Sequence, residues 1–106
     1  MSEFVLVLTT LPAKFDAVAL GRELVESRLA ACVNVLPAMQ SVYHWKGAVE
    51  VAAEQQVVVK TTATHVSALW TTLSARHPYE TPEFLVLPIV DGSPSYLEWM
   101  RLSLQV

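Results

Sequence analysis

Two runs of alternating character face each other across Lys46-Gly47-Ala48, and they constrain the fold more than any other feature of the chain. In the first run Met39, Ser41, Tyr43 and Trp45 share one parity while Gln40, Val42 and His44 share the other, a period of two that marks a strand. The returning run from Val49 to Thr62 makes the pair a hairpin. About 14 residues at roughly 3.3 Å each reach some 45 Å, whereas a domain of this length should measure only about 35 Å across. The tip must therefore curl or protrude, and a protruding tip that carries Tyr43 and Trp45 wants a partner. Pro37 interrupts the first arm, which begins near Ala31, and marks a bulge or a change of strand pairing.

The remaining segments sort by period. Phe4 to Thr10 is short, apolar and rich in β-branched residues, and reads as a central strand buried on both faces. From Lys14 to Leu29, Ala17, Leu20, Leu24, Val25 and Leu29 recur at helical spacing, with Gly21 on the same stripe. Thr62 or Thr64 can cap a second helix in which Val66, Leu69, Trp70 and Leu73 recur up to Arg76. Phe84 to Val90 is a last strand, placed at an edge or a bulge by Pro88. Ser93 and Pro94 open a third helix running to about Leu104. Strand, helix, strand, strand, helix, strand is the order of an α+β, ferredoxin-like split βαβ sandwich, here with an extended β-hairpin and a C-terminal helix.

Composition narrows the class. The 106 residues form one domain, 1–106, with no repeat or linker. Hydrophobic residues make up 53% and charged residues 16%, against about a quarter charged in typical soluble domains. That excess apolar surface, the bare sheet face and the hairpin together argue for burial against other copies of the chain. Net charge is −3 and the 7 Lys and Arg are scattered, which speaks against a nucleic-acid or anionic-membrane partner. Met1-Ser2-Glu3 carries no basic n-region and Phe4 to Leu8 is too short for a signal peptide or a span, so a cytoplasmic location is expected. Cys32 is the single cysteine, so neither an intrachain disulfide nor a multi-cysteine zinc site can form.

Polar chemistry concentrates in His77-Pro78-Tyr79-Glu80-Thr81-Pro82-Glu83, a stiff helix-to-strand connection held between two prolines. His77 could be a Cu(II) or Zn(II) ligand joined by Glu80 or Glu83, because imidazole with carboxylates suits borderline metals. It could equally be a cationic histidine meeting a helix C-terminus. Glu80 and Glu83 lack an accompanying nucleophile or phosphate loop, so an enzyme is the least supported reading. Lys60 follows Val57-Val58-Val59 and needs a partner, with Glu54 and Glu83 as candidates; alternatively it lines a pocket for an anion. Cys32 reads as a small buried hydrophobe, with a copper thiolate as the sharper alternative.

Taken together, Leu29-Ala30-Ala31-Cys32-Val33-Asn34, Ser41-Val42-Tyr43-His44-Trp45-Lys46-Gly47, Val58-Val59-Lys60-Thr61, the His77–Glu83 heptapeptide and Tyr96-Leu97-Glu98-Trp99 resemble the CutA divalent-cation tolerance proteins. The resemblance spans nearly the whole chain. It implies a ferredoxin-like subunit in a homotrimer similar in architecture to the PII signalling proteins, cytoplasmic, non-enzymatic, and linked to tolerance of copper and other divalent cations. It further implies metal ligands at the end of the first strand and just before the Pro-Tyr of the heptapeptide, where this chain has Thr9 and Arg76-His77.

The expected function is therefore copper or other divalent-cation binding and tolerance, with His77, Glu80 and Glu83 as metal ligands. The alternative is a PII-like sensor that takes a small anionic metabolite between subunits, its pocket drawn from Lys60, Tyr79 and Cys32. A trimeric scaffold for partner proteins is a third reading.

Overall fold

The computed structural model describes residues 2–105, with Met1 and Val106 outside the description. Five strands and three helices follow the expected order: β1 (Phe4–Pro12), α1 (Ala17–Glu26), β2 (Cys32–Val35), β3 (Met39–Trp45), β4 (Ala48–Thr62), α2 (Val66–Arg76), β5 (Leu85–Pro88) and α3 (Pro94–Ser103). The sheet order is β2-β4-β1-β5, with β3 also on β4, and all these pairs are antiparallel. This is the strand order of a ferredoxin-like sandwich.

Parity along β1 and β4 decides what each face does. Val5, Val7 and Leu11 of β1 and Val57 and Val59 of β4 point to one side, where Ala17, Leu20 and Leu24 of α1 and Leu69 and Leu73 of α2 complete a closed core. Gly21 gives α1 its close approach to β2, since a Cβ there would stand 3.1 Å from Val33. The opposite parity holds Leu6, Leu8, Val58, Leu85 and Leu87, half-buried or exposed. β1 is thus buried on one face rather than two, because both long helices lie on the same side. At one end of the open face α3 covers Phe4 and Ala31 with Met100 and Leu104.

The hairpin protrudes. The molecule extends 44 Å along its long axis and 26 × 24 Å across. Lys46 (φ 49°) and Gly47 (φ 82°) are both left-handed, the two-residue turn whose twist matches antiparallel arms, and they set the register Trp45↔Ala48 out to Met39↔Glu54. Pro37 falls in the break between β2 and β3, where β4 changes partner.

Several boundaries differ from expectation for local reasons. α1 starts at Ala17 rather than near Lys14 because the Asp16 carboxylate accepts from the Ala19 N–H. It stops at Glu26 because Arg28 turns left-handed (φ 64°), its guanidinium donating to the Ser103 carbonyl. Thr62 precedes a single 3-10 turn (Ala63–His65), and its hydroxyl bonds His65 Nδ1 at 2.6 Å instead of capping α2. Ser93 makes no capping bond before Pro94 either.

Candidate functional site

Pro78 forces His77 out of the helix into extended geometry (ψ 132°), and this turns the imidazole back under the sheet. His77 is 9% exposed. Its Nε2 lies 2.8 Å from the Thr10 carbonyl oxygen, so that nitrogen carries the proton and donates, while Nδ1 accepts the Tyr79 N–H at 3.2 Å. Burial lowers the imidazole pKa below its ordinary value, opposed in part by the Thr10 carbonyl and the Glu54 charge. The reading of His77 as a helix-end cation is corrected accordingly: its backbone N–H closes the helix on Leu73, but its ring is a neutral, doubly bonded brace. Metal ligation by Nδ1 would require surrendering the Tyr79 N–H.

Tyr79 reaches the other way, its hydroxyl donating to Glu54 of β4. Burial, followed by the Glu54 carboxylate, holds the phenol above its usual pKa. Glu54 is only 6% exposed. Further along the loop Glu83 accepts from Gln56 Nε2 at 3.0 Å, and the same nitrogen donates to the Thr9 carbonyl at 2.8 Å. Glu80 stands exposed at the lip. The hairpin closes the arrangement. Tyr43, Trp45, Glu54, Tyr79, Glu80 and Glu83 line a cavity of about 440 Å³ that also touches Thr10, Thr81 and Pro82. No lysine or arginine is among these residues.

Of the expected metal residues, Glu80 and Glu83 line the cleft and His77 does not, and among the described residues no three His, Cys, Asp or Glu side chains converge as an ion's donor set. The residues of the expected inter-subunit anion pocket stand apart within one subunit. Cys32 and Lys60 are direct partners across β2 and β4. Tyr79 sits at Glu54, six residues along β4, about 20 Å from Lys60. The carboxylate expected beside Lys60 is absent among the described residues: Glu54 is held by Tyr79 and Glu83 by Gln56. The Lys60 ammonium instead lies 3.4 Å from the Tyr96 hydroxyl and 5.5 Å from that ring's centroid. At the two positions marked by the resemblance, Arg76 forms a two-pronged ion pair with Glu23 of α1 at 2.8 and 3.1 Å. Thr9 is fully buried with a hydroxyl that finds no partner among the described residues.

Glu54, Tyr43 and Trp45 are the cleft residues that motif reading passed over as cation partner and packing. Their signal was the two-residue turn: pairing Trp45 with Ala48 puts Tyr43, Trp45 and Glu54 on one face.

The sequence profile described as "CutA1 divalent ion tolerance protein" matches residues 5–103. A divalent-cation tolerance protein CutA of Pectobacterium atrosepticum is 43% identical over 99% of this chain and 96% of its own length. The crystal structure of CutA from Xylella fastidiosa superposes with a TM-score of 0.92 at 40% identity, covering 98% of this chain and all of that one. CutA from Synechococcus elongatus gives a TM-score of 0.92 at 40% identity, over 99% and 93% of the two chains. A split βαβ sandwich with a protruding hairpin, matched in sequence and shape over nearly its full length, makes this chain a member of the CutA1 divalent ion tolerance family.

Proposed function

We propose that the chain acts in divalent-cation tolerance as a non-enzymatic, cytoplasmic homotrimer, and that cations, copper among them, engage the cleft between hairpin and heptapeptide. The observation that carries this is the charge of the cleft: Glu54, Glu80 and Glu83 without a lining lysine or arginine. Glu80 and Glu83 are the accessible oxygen donors, and His77 Nδ1 becomes a nitrogen donor when the Tyr79 N–H lets go. Trimer formation is supported by what the subunit leaves uncovered. On one face of the hairpin Val42, Val49 and Val51 are 62–68% exposed, and the open sheet face carries a further apolar patch.

Native mass spectrometry with copper and then zinc tests this reading. A trimer taking up about one ion per subunit is expected, with uptake lost in Glu80→Gln/Glu83→Gln and reduced in His77→Gln. A trimer indifferent to both ions in wild type defeats the cation contact, and a monomer defeats the assembly.

A second reading follows from Lys60, whose ammonium has an aromatic neighbour but no carboxylate among the described residues. An anion held there would raise the melting temperature of wild type and not of Lys60→Ala.

A further inference from the structure

The cleft has walls that a single metal ion does not use. An ion wants several donors converging on one point. Here the three carboxylates are spread around a cavity of about 440 Å³, a volume within the roughly 300–1,000 Å³ of small-molecule sites. Between the carboxylates stand aromatic rings. Tyr43 and Trp45 keep 41% and 40% of their surface open, and the Tyr79 ring meets His77 at a tilt of 50° with centroids 5.0 Å apart. Indole and phenol faces attract an ammonium through the ring quadrupole and cover its methylenes at the same time. The Trp45 ring already does so within the molecule, since the Lys46 ammonium lies 5.6 Å from its centroid. Glu54 is fixed before any ligand arrives, because it is 94% buried and gripped by the Tyr79 hydroxyl.

We propose that this cleft binds a small organic polycation, an alkyl diammonium or polyammonium, with its chain against Tyr43 and Trp45, one charged end at Glu54 and the other at Glu80 or Glu83. Separated carboxylates suit separated charges, and the aromatic walls suit the methylenes between them. An inorganic anion or an acidic metabolite is repelled by the same residues. The inference shares the cleft with the divalent-cation reading but does not depend on metal.

Isothermal titration of the purified chain in its native assembly with 1,4-diaminobutane and with spermidine, in EDTA and physiological salt, tests it. Saturable binding of about one molecule per chain is expected, and none of the neutral 1,4-butanediol. Trp45→Leu should weaken binding about fivefold and Glu54→Gln about tenfold. If Glu54→Gln does not fold, as judged by circular dichroism, Glu83→Gln takes its place with a smaller expected loss. Absence of saturable binding overturns the inference, including the case in which a neighbouring copy's cationic side chain already fills the cleft. So does binding that both Trp45→Leu and the carboxylate variant leave unchanged, the mark of attraction to bulk negative charge. Diamine binding that appears only with added divalent ion and vanishes in EDTA also overturns it, leaving the metal reading intact. Diamine binding in EDTA by a chain that takes up neither copper nor zinc has the opposite meaning.

Discussion

The single strand β4 lives in two environments, and the contrast between its ends explains most of the molecule. From Glu54 to Thr62 it is paired with β1, and from Val57 to Lys60 also with β2, and Val57, Val59 and Thr61 are at most 1% exposed beneath the helices. From Ala48 to Ala53 it has only β3 beside it, and Val49 and Val51, of the same parity, are 62% and 63% exposed. Local conformation is the same extended ladder throughout. The difference is that α1 and α2 reach one half of the strand and stop, so the helix-side residues of the other half have no cover within the described chain. A strand this long with no cover over its outer half makes sense only if something outside the chain supplies the cover. The cleft sits at the joint between the two halves, where Glu54 is the last buried residue before the exposed arm.

The largest expected effect sharpens that contrast. Leu73 is fully buried in the helix–sheet core, and Leu73→Ala should cost about 3 kcal/mol through lost burial and the cavity left behind. Val51→Ala on the outer half should cost the dissociated chain less than about 0.5 kcal/mol. Urea unfolding of both variants at concentrations low enough to dissociate any assembly measures the pair. Should Val51→Ala prove as costly as Leu73→Ala under those conditions, the hairpin is covered by its own chain and the two-environment account fails.

A smaller effect, of opposite sign, lies inside the well-covered half. Thr9 faces the helices in a row with Val7 and Leu11, is fully buried, and leaves its hydroxyl without a partner among the described residues. Thr9→Val keeps the branched shape and removes the unsatisfied group, so it should stabilise the fold by about 1 kcal/mol in the same urea assay. A loss of stability instead would mean that the hydroxyl is satisfied in solution, by water for instance.

How much of this could be read without coordinates follows from the range of the interactions. The sandwich was legible because it rests on short-range signals: periods of two and 3.6, the Lys46-Gly47 turn, and an element order that few folds share. Rise per residue showed the hairpin too long for the domain but left curling and protrusion both open; the extents decide for protrusion. Helix ends were read less well, because Asp16 and Arg28 act through single capping and left-handed contacts that leave no periodic trace. The cleft was half legible. Its heptapeptide stood out by composition, but Glu54 joins it only through the hairpin register and the reach of Tyr79 across 25 residues. The partner of Lys60 was misjudged for the same reason, since α3 brings Tyr96 to it from 36 residues away. His77 is the extreme case, bonded to a carbonyl 67 residues distant.

That long-range bond supplies the smallest effect, one that probes the joint itself. Folding buries the His77 imidazole and lowers its pKa below the ordinary value, whereas in the unfolded chain it titrates near pH 6.5. Above about pH 6.5 the ring is neutral in both states and the brace contributes in full. As the pH falls through that value, the unfolded chain takes a proton that the folded chain resists, so the equilibrium shifts toward unfolding. The loss is complete once the pH lies below the folded-state pKa, where both states are protonated. In His77→Gln the amide can still donate to the Thr10 carbonyl but has no proton to take up. Melting temperature measured from pH 8 to pH 5 should therefore drop more steeply in wild type than in His77→Gln. Parallel curves would mean that the imidazole is not held neutral by burial, and that its Nδ1 lone pair is not committed to the Tyr79 N–H.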